Sequence, residues 1–208
     1  MNLILLHGLG QSAESWNETA ALLPAEWEIS IPELNRFSDG NFTYGHLYEG
    51  LRGELKKSVP SVLCGLSLGA VLALNLAIDE PELVKRLILI APQFQMPKIM
   101  LKLQGLIFRL TPSRSFERVG ITKKGMIALT ESMSNLDFRD RLDRVECPAL
   151  ILCGERDSVN KKAAERLGGL LRNAVIPNAG HEVNLDNPRA LAKRLILFSD
   201  QTVDNPTV

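Results

Sequence analysis

Short, continuous apolar runs alternate with longer segments of helical periodicity, and this alternation limits the possible fold more than any other feature of the chain. Most of the runs are apolar at nearly every position, which is typical of strands that are covered on both faces. One run, Trp27–Ile31, alternates apolar and polar residues and favours a strand nearer to a sheet edge. Strands are therefore predicted at Leu3–Leu6, Trp27–Ile31, Ser61–Cys64, Leu87–Ile90, Ala149–Cys153 and Asn173–Ile176.

Helical periodicity fills most of the intervals between these strands. Helices are predicted at Ser15–Leu23, Tyr44–Lys57, Leu68–Ile78, Lys161–Leu171 and Pro188–Phe198. Strands and helices in regular alternation indicate a mostly parallel sheet with helices on both sides, which is a three-layer α/β fold.

The segment 93–144 breaks this rhythm, because it separates two predicted strands by far more than one helix requires. It contains the apolar stretch Met96–Leu110 and then further helical pattern. A long insertion of this kind is commonly functional, so we predict a helical cap at 93–144, inserted into a core formed by 1–92 and 145–200. The polar tail 201–208 is expected to be frayed.

The charge balance gives no general electrostatic reason to bind anionic partners. The 208 residues include 24 Lys and Arg and 24 Asp and Glu, so the formal net charge is zero. Neither nucleic acid nor an anionic membrane is therefore an expected partner. No apolar window approaches the length of a membrane span, and Met1–Leu6 lacks the basic flank of a signal peptide. Three cysteines without regular spacing argue against a disulfide framework, and we expect a cytoplasmic protein.

One turn joins an apolar strand to an apolar helix and carries a serine between two glycines. It reads Gly65-Leu66-Ser67-Leu68-Gly69 and precedes the helical segment Ala70–Ile78. In this context the G-x-S-x-G pattern is typical of a turn that presents a serine hydroxyl at the N-terminus of a helix. That terminus offers N–H groups to a developing oxyanion. We therefore predict that Ser67 is a nucleophile, although the pentapeptide by itself also fits an ordinary glycine-bearing turn.

A serine hydroxyl needs a base to take its proton, and the base can only be one of three histidines. These are His7, His46 and His181, of which His181 alone follows Ser67 in the chain. His181 lies just after the last predicted strand and is the predicted base. His7 is expected to hold its own loop through side-chain hydrogen bonds, and no function is predicted for His46.

The base in turn needs a carboxylate to fix its tautomer. Asp157 follows the predicted strand Ala149–Cys153 directly, and functional groups gather at such strand ends in parallel sheets. Asp157 is therefore the predicted acid, and Glu155, two residues earlier, is the closest alternative. Three other carboxylates lie on a charged stretch that is typical of a solvated face: Asp137, Asp140 and Asp143.

The loop after the first predicted strand, His7-Gly8-Leu9-Gly10, contains glycines that let the backbone approach a ligand closely. We predict that the backbone N–H groups of Leu9 and Leu68 form an oxyanion hole.

The same loop also fits a loose form of the dinucleotide-binding fingerprint. Gly8-Leu9-Gly10-Gln11-Ser12-Ala13 follows a strand, and Glu33 lies at about the expected distance for a ribose contact. A nucleotide site would leave the predicted serine, acid and histidine unexplained. We therefore predict no cofactor, and the scattered His and Cys residues predict no metal site.

Together these motifs resemble the α/β-hydrolase superfamily, and the resemblance covers nearly the whole chain. The matching segments are His7-Gly8-Leu9-Gly10, Gly65-Leu66-Ser67-Leu68-Gly69, Val84–Pro92, Cys147-Pro148-Ala149, Gly154-Glu155-Arg156-Asp157 and Gly180-His181. The resemblance implies that Ser67, Asp157 and His181 form a catalytic triad. It also implies about six strands in the spatial order second, first, third, fourth, fifth, sixth.

The sequence departs from the family pattern at two places. The chain starts at what the resemblance makes the family's third strand, so the usual N-terminal hairpin is expected to be missing. The loop Pro32–Phe37 lacks the glycine-rich pattern that is common in relatives, which concerns the rim of the pocket.

The expected function is that of a serine hydrolase that cleaves a small-molecule carboxylic ester through an acyl-enzyme on Ser67. Lactone, thioester, C–C bond and small-peptide hydrolysis on the same residues remain alternatives, as does a slow-turnover ligand-binding or signalling protein. The apolar stretch Met96–Leu110 fits either the lining of an acyl pocket or a helix that simply packs on the strand ends.

Overall fold

The computed structural model describes residues 1–96, 98–117, 120–165 and 172–200. Within these residues six strands form one sheet in the order β2-β1-β3-β4-β5-β6, and every adjacent pair is parallel. The predicted spatial order is therefore confirmed. The strands are β1 (Asn2–Leu6), β2 (Glu28–Ser30), β3 (Ser61–Leu66), β4 (Val84–Ile90), β5 (Ala149–Gly154) and β6 (Arg172–Ile176).

Helices connect the strands and cover both faces of the sheet, as the predicted three-layer fold requires. The α-helices are α1 (Asn17–Ala20), α2 (Tyr44–Leu55), α3 (Leu68–Asp79), α4 (Lys98–Leu110), α5 (Arg114–Glu117), α6 (Lys123–Met133), α7 (Ser158–Glu165), α8 (Val183–Asp186) and α9 (Pro188–Ser199). Short 3-10 helices span Ala13–Trp16, Leu34–Ser38, Pro81–Leu83 and Arg139–Arg144.

The sheet separates two hydrophobic cores, which explains why its inner strands are apolar throughout. Successive side chains of a strand point to opposite faces. In β3, Leu63 packs with α2 and α3 on one face, whereas Val62 and Cys64 pack on the other face with α9 and Trp16. Both faces are buried, so an alternating pattern would place polar groups in one of the cores.

Two predicted helices differ from those observed. The prediction of one helix at Ser15–Leu23 is wrong, because that interval holds the end of a 3-10 helix and the single turn α1, followed by a turn with i to i+3 hydrogen bonds. The helix predicted from Lys161 begins three residues earlier, at Ser158, because Asp157 caps it. Residues 166–171 and the predicted tail 201–208 lie outside the described residues.

Residues 93–144 leave the sheet after β4 and return to it before β5. The two ends of this segment are joined at their base, where Phe138 N–H donates to Phe94 O at 2.8 Å and Met96 N–H donates to Leu136 O at 3.1 Å. Beyond this base α4 packs on α6, and Ser132 of α6 accepts a hydrogen bond from the backbone of Tyr44 in α2. The division into core and cap stays a prediction.

No helix in the described part of the chain is long and apolar enough to cross a bilayer. The three cysteines, Cys64, Cys147 and Cys153, are thiols rather than disulfides.

The turn between β3 and α3 depends on the absence of side chains at both glycines. A Cβ atom on Gly65 would lie 2.2 Å from Gly69 O, and a Cβ atom on Gly69 would lie 2.3 Å from Leu6 O. These neighbours are backbone atoms that cannot rotate away. The helix α3 therefore starts in direct contact with β1, and Ser67 between the glycines has φ +51° and ψ −108°.

His7 joins the loops that follow β1 and β2. Leu34 N–H donates to His7 Nε2 at 3.1 Å, so Nδ1 carries the proton and donates to Gly8 O at 3.0 Å. The expected structural role of His7 agrees with these contacts. Burial lowers the pKa of His7, although the hydrogen bond to Gly8 and the charge of Glu33 act in the opposite direction.

We predict that Gly69→Ala destabilises the fold by about 1–3 kcal/mol, because the new methyl group must displace the backbone of β1. The matched control is Gly53→Ala in α2, where a Cβ atom would have no neighbour within 4 Å. That control should stabilise the protein by about 0.5–1 kcal/mol through helix propensity. Urea unfolding measures both effects, and equal stabilities for the two variants would contradict the close contact.

A second prediction concerns pH. The unfolded chain takes up a proton on His7 below about pH 6.5, whereas the folded protein does so only at a lower pH. The free energy of unfolding should therefore fall as the pH decreases through this window, by at most about 1.4 kcal/mol per pH unit from His7. His7→Gln keeps one donor and one acceptor and should reduce the slope measured by urea unfolding between about pH 7.5 and about pH 5.5. An equal reduction in the exposed-histidine control, His46→Gln, would contradict the assignment to His7.

Candidate active site

The predicted site residues meet in one cavity of about 440 Å³ at the carboxyl ends of the strands. Such strand ends are where open parallel sheets bind ligands. Five predicted residues line this cavity: Leu9 after β1, Ser67 and Leu68 after β3, Asp157 after β5, and His181 after β6.

Ser67 is fixed by backbone hydrogen bonds on both sides. Its N–H donates to Ile90 O at the end of β4, at 2.9 Å, and its carbonyl accepts from Val71 N–H in α3, at 3.0 Å. A positive φ at a residue other than glycine is a strained state that persists only where its surroundings enforce it. Leu68 is the first residue of α3, so its N–H has no acceptor within the helix. This end of the helix borders the cavity.

Asp157 and His181 form a direct hydrogen bond, with His181 Nδ1 2.9 Å from Asp157 Oδ2. Asp157 is buried at the start of α7, where its other oxygen, Oδ1, accepts from Asn160 N–H at 3.2 Å. The carboxylate therefore caps a helix with one oxygen and meets the imidazole with the other. Burial raises the pKa of Asp157, but hydrogen bonds from His181 and Asn160 outweigh burial and hold that pKa below its ordinary value.

The alternative acid, Glu155, is engaged elsewhere. Its Oε2 accepts a hydrogen bond from Asn178 N–H at 2.9 Å, on the exposed turn that follows β6. The geometry thus favours Asp157 over Glu155 as the partner of His181.

Two amide residues in the wall of the cavity were not found from the sequence. Asn160 Nδ2 donates to Asp157 Oδ2 at 2.7 Å, and Asn160 Oδ1 accepts from Gln93 Nε2. The spacing of Asp157 and Asn160, three residues apart, is that of a helix N-cap and its third helical residue, and this signal could have indicated the pair. Gln93 carries no comparable signal.

A third amide connects the loops of the predicted oxyanion hole and base. Gln11 Oε1 accepts from Gly8 N–H at 3.2 Å, while Gln11 Nε2 donates to Glu182 Oε1 at 3.0 Å. Glu182 directly follows His181 in the chain. The position of Leu9 is thereby tied to the position of the histidine.

Three further sequence features have local contacts. Glu33, the ribose partner in the dinucleotide fingerprint, accepts a hydrogen bond from Ala13 N–H at 2.8 Å. His46 lies in the first turn of α2, where its Nδ1 is 2.7 Å from Thr43 Oγ1. In the loop Pro32–Phe37, Leu34 is buried and contributes to the core.

The remaining wall of the cavity is apolar and includes residues of the segment 93–144. Its side chains are Val71, Met96, Leu101, Met133 and Val159. Of the two expectations for Met96–Leu110, the lining of a pocket agrees with the positions of Met96 and Leu101. In the described residues no group of three His, Cys, Asp or Glu side chains is arranged to hold a metal ion.

The sequence of this chain matches known proteins over most of its length. The model of the alpha/beta hydrolase family matches residues 3–194. A pimeloyl-[acyl-carrier protein] methyl ester esterase of Neisseria meningitidis is 24% identical, with 98% of this chain and 78% of that protein aligned. Another protein of this name, from Pseudoalteromonas atlantica, is 35% identical over 45% of this chain, and there the chain spans only 39% of the relative.

Solved structures show the same fold at lower sequence identity. The crystal structure of a hydrolase from Pseudomonas aeruginosa superposes with a TM-score of 0.80 at 19% identity, covering 96% of this chain and 90% of that chain. Because the family model spans nearly the whole chain, the family follows from sequence and fold together. The chain belongs to the alpha/beta hydrolase family.

Proposed function

We propose that the protein is a serine hydrolase that cleaves carboxylic esters through an acyl-enzyme on Ser67. One observation carries the proposal: the hydrogen-bonded pair of Asp157 and His181 lines the same cavity as a serine held on a strained strand-to-helix turn. The names of the curated relatives, which are methyl ester esterases, support the same reaction class.

Acylation begins when Ser67 Oγ attacks the ester carbonyl and His181 Nε2 takes the hydroxyl proton. The carbonyl π bond opens onto its oxygen, which becomes the oxyanion of a tetrahedral intermediate. This intermediate then collapses, the bond to the alkoxide breaks, and His181 gives its proton to the departing oxygen. The products of this half-reaction are an alcohol and an ester on Ser67.

Deacylation repeats these steps with water as the nucleophile. His181 takes a proton from water, the hydroxide adds to the acyl carbonyl, and collapse returns the proton to Ser67 Oγ. A carboxylic acid leaves, and the protein is restored.

The oxyanion in both half-reactions is stabilised by the backbone N–H groups of Leu9 and Leu68. Backbone donors in fixed positions, such as Leu68 N–H at the start of α3, are already oriented when the negative charge of the oxyanion develops. They therefore stabilise the transition state without reorganisation. Asp157 holds the proton of His181 on Nδ1, so that Nε2 stays available to accept from Ser67.

The shape and polarity of the cavity define the substrate class. Its volume of about 440 Å³ is typical of a site for a small molecule. Apolar side chains from α3, α4 and α6 also line the cavity, which suits an uncharged acyl chain near the reacting carbonyl. The relatives act on a methyl ester, so we propose a small alcohol as the leaving group.

The main test is labelling with a fluorophosphonate probe, which reacts with an activated serine, followed by peptide mapping. We expect label on Ser67 in the wild type and a loss of label in Ser67→Ala. The thermal midpoint of the variant should show that it is folded. Label on another serine, or undiminished labelling of the variant, would overturn the proposal.

Hydrolysis of an activated ester separates the two candidate acids. Asp157→Asn should lower kcat for an activated ester by about 1,000- to 10,000-fold, because the imidazole then loses the carboxylate that fixes its tautomer. Glu155→Gln is the matched control, since Glu155 contacts Asn178 and not His181. A larger loss in Glu155→Gln than in Asp157→Asn would reverse the assignment.

A substrate panel distinguishes the proposed ester hydrolysis from other reactions of the same residues. We expect methyl esters of uncharged acyl chains to be hydrolysed with a higher kcat/KM than the matching lactone, thioester, C–C diketone or aminoacyl amide. Preference for one of the latter would identify a different substrate class on the same nucleophile. Single turnover without release would instead indicate a ligand-binding or signalling protein.

A further inference from the structure

We propose that Asn160 is a positioning residue of this site and that Gln93 fixes the orientation of its amide. The inference rests on the proposed function, because the group that is positioned is the predicted acid, Asp157. It begins from a chain of three side chains, in which Gln93 donates to Asn160 and Asn160 donates to Asp157.

The direction of this chain follows from the chemistry of the carboxylate. An ionised carboxylate only accepts hydrogen bonds, so the atom of Asn160 that lies 2.7 Å from Asp157 Oδ2 must be the donor Nδ2. Asn160 Oδ1 then points the other way and needs a donor. Gln93 Nε2 supplies that donor, so the orientations of both amides follow from the charge on Asp157.

The orientation matters because Asn160 also lies beside the imidazole. Asn160 Nδ2 is 3.1 Å from His181 Nδ1, and both atoms approach the same oxygen, Asp157 Oδ2. With Nδ2 on this side, His181 Nδ1–H has only the carboxylate as its acceptor. With Oδ1 on this side, the amide oxygen would offer His181 a second acceptor and would repel the carboxylate.

Burial makes a reversed orientation of the Asn160 amide costly. Asn160 is 6% exposed, so water cannot replace a hydrogen bond that a reversed amide would lose. Gln93 is the first residue after Pro92 at the end of β4, whereas Asn160 lies in α7 after β5. The hydrogen bond between them therefore fixes the acid loop against the neighbouring loop.

The titratable groups described next to this network have hydrogen-bond partners of their own. His181 is the titratable group in contact with Asp157, Glu155 is bonded to Asn178 N–H, and Glu182 is bonded to Gln11. A new carboxylate at position 93 would stand where Gln93 Nε2 now donates to Asn160 Oδ1.

The test is Gln93→Glu, which replaces the donor to Asn160 by an acceptor of the same length. The ionised side chain should reverse the amide, so that Asn160 Oδ1 faces Asp157. We expect kcat for an ester substrate to fall by about 10- to 100-fold at about pH 8, with little change in KM. The ratio of variant to wild-type kcat should rise as the pH falls, because a protonated Glu side chain is again a donor.

Two controls accompany this variant. Gln93→Met keeps the length of the side chain without imposing an acceptor, and its loss of kcat should be smaller and without the pH-dependent recovery. Gln95→Glu places the same new charge two residues further along the chain, on an exposed side chain that faces Asp137 rather than the cavity lining, and should leave kcat near the wild-type value. Thermal midpoints are measured to check that all three variants are folded.

A readout that does not depend on activity keeps the two proposals apart. The His181 Nδ1 proton, observed by NMR in protein with labelled histidine, should shift in Gln93→Glu and not in Gln95→Glu. Failure of the wild type to label at Ser67 would overturn the proposed function alone. If the wild type labels, an unchanged proton signal and an unchanged kcat profile in Gln93→Glu would overturn the positioning role, as would equal losses in all three variants.

Discussion

The contact between the start of α3 and the backbone of β1 is the constraint on which the rest of the structure depends. Gly69 approaches Leu6 O so closely that no side chain fits between them. Gly65 lies equally close to the backbone of Gly69 in the same turn. This contact sets the helix start over the centre of the sheet, between β1 and β4. Ser67 is thereby held in a strained backbone conformation, and it lines the cavity.

The sequence predicts the architecture well because the relevant signals are local. Continuous apolar runs identify strands with two covered faces, and a residue such as Asp157 or His181 can be related to the end of a strand by counting along the chain. The prediction of a helix at Ser15–Leu23 was wrong because α1 has only four residues. Neighbouring turns and core contacts hold these residues in place, rather than an extended amphipathic face. Helical periodicity alone does not contain that information.

The amides around the cavity could not be predicted in the same way. Gln93 and Asn160 are 67 residues apart, and Gln11 and Glu182 are 171 apart, so each pair exists only after the strands have assembled. Gln93 and Gln11 carry no local signal that distinguishes them from surface amides, whereas Asn160 stands at the spacing of an N-capped helix from Asp157. Gln93 and Asn160 bond to each other and to Asp157 without adding charge beside the imidazole.

The hydrogen-bonded base of the segment 93–144 has a consequence for how this protein can change over evolutionary time. Phe94 and Met96 leave the sheet beside Leu136 and Phe138, so the two ends of this segment meet at its base, and α6 adds a further contact with α2 through Ser132. Substitutions in α4 and α6 can change the apolar wall of the cavity while the strand ends keep their spacing. The shape of the cavity and the residues at the strand ends can therefore diverge separately, because different stretches of sequence encode them.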